Sequence, residues 1–105
     1  MIPLLDENRR EIAALCREYQ VVRLEVFGSA AEGDFYGGRS DVDFVVEFQP
    51  GVDLGPWLSR YFDLQEALQA LLGHPVDLVM ANAPGLKNPH FLREANRTRR
   101  LLYAA

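Results

Sequence analysis

The sequence is poor in the residues that mark several protein classes. It has one cysteine, Cys16, in 105 residues, which excludes an internal disulfide and points to a reducing compartment. It has no apolar run near the roughly 18 residues that a membrane-spanning helix needs, and no signal-peptide pattern at its start, so a cytoplasmic protein without a membrane partner is expected. It has no basic excess: 11 Lys and Arg stand against 15 Asp and Glu, for a formal charge of −4. Such a molecule is not built to coat nucleic acid, and no direct nucleic-acid partner is expected. It has two histidines, His74 and His90, and neither has a neighbour at metal-ligand spacing. They read as a turn residue and a first-turn helix residue. Repeats, low-complexity segments and linkers are missing as well. What remains is an ordinary globular composition, 49% hydrophobic and 25% charged, long enough for one core and read as a single domain over residues 1–105.

In chain order, Ile12, Leu15, Cys16 and Tyr19 recur at the spacing of one helix face, and Asp6 and Glu7 suit its early turns. Cys16 reads as a small buried thiol. Val22, Leu24 and Val26 alternate with Arg23 and Glu25, which predicts a strand over Val21–Phe27 with one core-facing side. Gly28-Ser29 ends it. Ala30-Ala31-Glu32 suits a turn or two of helix, and residues 34–39 read as a loop. A second strand runs from Asp41 to Phe48. Asp53 and Pro56 are start signals for a long helix whose stripe is Trp57, Tyr61, Leu64, Leu68 and Leu71, with Gly73 placed to cap it. That stripe reads as core rather than as a base-stacking platform. Val76–Met80 is a third strand with Asp77 opposite its apolar face. After a loop at residues 81–87, Asn88 and Pro89 form an N-cap and first-turn pair for a helix carrying Phe91, Ala95, Thr98 and Leu102 on one face. Residues 100–103 fit an edge strand equally well. An exposed edge strand or the C-terminal helix leaves room for a homodimer or a hetero-oligomer.

The chemistry concentrates between Val26 and Phe48. Strand alternation points Asp41 and Asp43 one way and Val42, Phe44, Val46 and Phe48 the other. Two such carboxylates repel unless a cation sits between them. Gly28 permits close backbone approach, and Ser29 with the amides after it suits an anion cradle. Should the second and third strands be neighbours, Asp77 joins Asp41 and Asp43 in one cluster.

Gly28-Ser29, then Ser40-Asp41-Val42-Asp43, then Asp77 resemble the signature of the DNA polymerase beta-like nucleotidyltransferase superfamily, and the length and element order are similar to its minimal (MNT) branch. The resemblance covers nearly the whole chain and implies an α/β fold of the nucleotidyltransferase type, a small mixed sheet flanked by helices. It implies Mg²⁺ on Asp41, Asp43 and Asp77, with Gly28, Ser29 and Ser40 binding the nucleotide. ATP is then the substrate, and Asp77 ligates metal or takes the proton of an attacking hydroxyl. It further implies an antitoxin that transfers AMP from ATP to a tyrosine of a HEPN-domain toxin, an RNase. One position departs from the family pattern: Glu32 stands where an Arg is usual in Gly-Ser-x-Ala-Arg-Gly, and Arg39 is a candidate to compensate. The alternative is a non-catalytic module that silences its partner by masking a surface. Lys87, Arg93, Arg97, Arg99 and Arg100 form a basic cluster, read as a solvated helix face or a surface for an acidic partner.

Overall fold

Three runs of alternating apolar residues and one short C-terminal segment build a single sheet. The computed structural model describes residues 2–32, 41–81, 93 and 96–105, the side chains of Ser29 and Glu32 excepted. Strands β1 (Val21–Phe27), β2 (Val42–Phe48), β3 (Val76–Met80) and β4 (Arg100–Ala104) lie in the order β3-β2-β1-β4. β1 is antiparallel to both β2 and β4, whereas β2 and β3 are parallel. A parallel pair requires a crossover, and helix α4 (Ser59–Leu72) supplies it. The mixed sheet with flanking helices is the fold class that the family resemblance implied.

Alternation then divides the sheet into two faces. Leu24, Val26, Phe44, Val46 and Leu78 are buried on one face with Ile12 and Cys16 of α2 (Arg9–Glu18) and with Leu64 and Leu68 of α4. Burial pushes the Cys16 thiol up to about 12, despite a lowering influence from Arg17, so it is a packing residue. The register partners Phe27, Asp43 and Asp77 project from the opposite face, as do Glu25, Val45 and Val79.

Four details differ from the sequence reading. The first helix is two segments, α1 (Pro3–Glu7) and α2, separated at Asn8, whose backbone leaves helical geometry while its side-chain amide donates to Leu4 O at 2.8 Å. Trp57 is 94% exposed and not part of the core stripe. A 3₁₀ turn over Pro56–Leu58 precedes α4, and Trp57 and Leu58 both have positive φ, so the helical periodicity starts only at Ser59. Asp53 is no helix cap; its carboxylate accepts from Gly55 N in the turn before. Residues 96–98 are helical and 100–104 form β4, so the C-terminal basic residues do not share one helix face. Gly73 does cap α4, in the left-handed region at φ 70°, with its amide on Gln69 O. His74 stands in the turn that follows. The Asn88-Pro89 start, His90 and Lys87 lie outside the described residues.

Candidate active site

The sheet register lines up the residues at one end. Phe27 pairs with Asp43, and Asp43 pairs with Asp77. Register partners on adjacent strands project from the same face at a strand spacing of about 4.8 Å. Two carboxylates are thus held side by side by backbone pairing alone. Asp41 is exposed and lies just before β2, which begins at Val42. The Asp43 carboxyl is raised from 3.8 to about 6, first by burial, then by the charges of Asp77 and Asp41. The three carboxylates therefore feel one another, with Asp43 at the centre.

Gly28 follows Phe27 directly and has φ +74°. A Cβ built there would sit 3.1 Å from Asp43 Oδ2. The glycine thus serves both the left-handed turn and the close passage of the chain beside the carboxylate. Its own N–H donates to Thr98 Oγ1 at 2.8 Å, and Thr98 is buried. The C-terminal segment therefore holds the Gly28 turn in place, and the Gly28 amide is already engaged. Ser29 opens the short helix α3 (Ser29–Glu32). Ser40, Arg39 and the side chain of Glu32 lie outside the described residues.

Further along the same face, Glu25 is 6% exposed. Arg23 Nε donates to its Oε1 at 3.0 Å, and Arg99 Nε lies 2.5 Å from Oε2 as a charge contact without hydrogen-bond alignment. A buried carboxylate needs such partners. Neither the Thr98 bond nor this cluster was visible in the sequence, because strand alternation cannot say which polar side of a strand is covered. Arg99, read there as part of a basic surface, is committed to Glu25.

The donor set suits a hard divalent cation. Among the described residues, no three His, Cys, Asp or Glu side chains close into a ready-made metal cage. What is present is an adjacent carboxylate pair with a third carboxylate at its margin. Mg²⁺ is commonly held by one or two carboxylates together with substrate phosphates. The raised Asp43 carboxyl marks a spot where positive charge is favoured.

Residues 9–102 match the nucleotidyltransferase domain family. A Methanocaldococcus jannaschii protein with a provisional protein adenylyltransferase assignment is 35% identical over 85 residues, 81% of this chain and 80% of that one. The protein adenylyltransferase MntA of Thermococcus cleftensis is 35% identical over 76% of this chain and 73% of its own length. In fold, the chain is similar to the structure of a tri-AMPylated Shewanella oneidensis HEPN toxin in complex with MNT antitoxin, with a TM-score of 0.64, 19% identity, and coverage of 96% and 73%.

Proposed function

Because the chain belongs to the nucleotidyltransferase domain family, we propose that it is an antitoxin that transfers AMP from ATP to a tyrosine hydroxyl of a HEPN-domain toxin. The observation that carries the reading is the register of Asp43 against Asp77, two carboxylates fixed side by side, with the Asp43 carboxyl raised first by its burial and then by the charges of Asp77 and Asp41. Proteins seldom retain such repulsion without a use for it. The names of the relatives support the substrate class, as does the AMPylated toxin in the structural neighbour.

In this reading the chain is one minimal nucleotidyltransferase domain acting in the cytoplasm. Asp43 and Asp77, with Asp41 beside them, hold Mg²⁺, which when bound neutralises phosphate charge and polarises the α-phosphorus. Ser29 and Ser40 position the distal phosphates, with Gly28 shaping the turn that presents them and keeping the chain clear of Asp43. The tyrosine oxygen forms a bond to the α-phosphorus, the bond from that phosphorus to the β-bridging oxygen breaks, and pyrophosphate leaves. The phenolic proton passes to Asp77. Rigid strand register supplies the positioning on which this chemistry depends.

The test is intact-mass analysis of a HEPN partner incubated with this protein, ATP and Mg²⁺. The partner gains one or more AMP groups and loses RNase activity, and the Asp43→Asn, Asp77→Asn variant binds it without either effect. A partner silenced with no mass change would replace transfer by masking.

A further inference from the structure

β3 is an edge strand, and Asp77 is the one site carboxylate that it carries. Its alternate residues turn their backbone groups toward β2: Pro75 O accepts from Val42 N, and Ala81 N donates to Val46 O. Val76 and Leu78 therefore direct theirs outward. α4 meets these groups with a comb of side chains spaced four residues apart. Gln69 Oε1 accepts from Val76 N at 3.1 Å, Gln65 Nε2 donates to Val76 O at 2.8 Å, and the Tyr61 hydroxyl donates to Leu78 O. Residues at this spacing share one helix face.

The comb does more than cover an edge, which charge or a short strand would achieve. Two of its teeth grip the residues on either side of Asp77: Gln65 holds Val76 O, in the peptide that leads into Asp77, and Tyr61 holds Leu78 O, one peptide beyond it, so the backbone that carries the carboxylate is anchored before and after. A strand with a single neighbour otherwise has freedom to twist.

We propose that Tyr61 and Gln65 are positioning residues for Asp77, fixing it against Asp43 at the geometry a divalent cation requires. The proposal rests on the reading of Asp77 as a site carboxylate. Mg²⁺ and Mn²⁺ sites tolerate little displacement, and removing the groups that orient a metal's ligands typically weakens binding about 10–100-fold. Gln69 belongs to the same comb but grips the far side of Val76, and so serves as the internal control.

The experiment is Mn²⁺ titration followed by electron paramagnetic resonance, with a non-hydrolysable ATP analogue present, beside thermal melts of each variant. Tyr61→Phe, which deletes one oxygen and keeps the ring, and Gln65→Leu each weaken Mn²⁺ binding about tenfold. Gln69→Leu lowers the melting temperature by a similar amount and changes Mn²⁺ affinity less than about twofold. Equal weakening by all three variants, or none from Tyr61→Phe and Gln65→Leu, would overturn the proposal and leave the site reading standing. Asp77→Asn reports on the site itself: unchanged Mn²⁺ binding there would remove the premise.

Discussion

Neutralising Asp43 should make the protein more stable while removing its activity. The carboxyl is raised from 3.8 to about 6 by burial, Asp77 and Asp41. Between those pH values the native state binds more protons than the unfolded chain, so stability falls as pH rises through this window and the loss is complete above about 6. The full shift corresponds to a ceiling of about 3 kcal/mol. The side chain is only half-buried, and screening by water reduces this to about 1–2 kcal/mol. For a domain of this size that is a rise in Tm of about 5–10 °C. Asp43→Asn, melted in EDTA without nucleotide, should therefore exceed the wild type at pH 7.5, match it near pH 3.5, and show a flatter profile between. Mg²⁺ should close part of the gap by stabilising the wild type alone. A variant that melts at or below the wild type at pH 7.5 would refute the argument that these carboxylates converge at a cost.

Further consequences follow from the same geometry. Gly28→Ala places a Cβ 3.1 Å from Asp43 Oδ2 at φ +74° and should destabilise by about 1–2 kcal/mol in denaturant titration. Thr98→Val leaves the Gly28 N–H without its acceptor and should cost about 1–3 kcal/mol, with Thr98→Ser restoring most of it. Leu68→Ala, at a fully buried position, should cost about 2–5 kcal/mol, whereas Trp57→Ser should stay within about 0.5 kcal/mol. Mg²⁺ affinity measured by calorimetry should fall as pH drops through about 6, where Asp43 takes up a proton that competes with the metal.

The strands were the legible part of this sequence. Period-two alternation identified β1, β2 and β3 and put Asp43 and Asp77 opposite the apolar face, which is as far as a sequence reaches toward a site made by pairing. The pairing itself was beyond it: that β2 and β3 are neighbours, and in register at the two Asp residues, depends on the α4 crossover. Trp57 misled because its spacing to Tyr61 and Leu64 is helical while its backbone is not. The apolar stripe from Ile12 to Tyr19 lies wholly after Asn8, so it could not report the break there. The tie from Thr98 to Gly28 and the partners of Glu25 join segments at opposite ends of the chain, where no local pattern reports them. Gln65 and Gln69 have no sequence signal at all, since an exposed helix face carries glutamine just as readily.

The pairing of β4 with β1 carries a kinetic consequence. Arg23 meets Ala104 and Val26 meets Arg100, contacts that span most of the chain, so their loop-closure entropy is among the largest in the fold. β2, α4 and β3 have only short loops to close and can dock first. β4 is therefore expected to join late, and hydrogen exchange at its amides measures how often it reopens. Because residue 98 precedes that strand and its hydroxyl accepts from the Gly28 amide, an opening of β4 that reached it would release the Gly28 turn without touching the Asp43–Asp77 pairing. The Gly28 turn and the carboxylate pair are thus tied to different parts of the chain, the turn to its last strand and the pair to the α4 crossover.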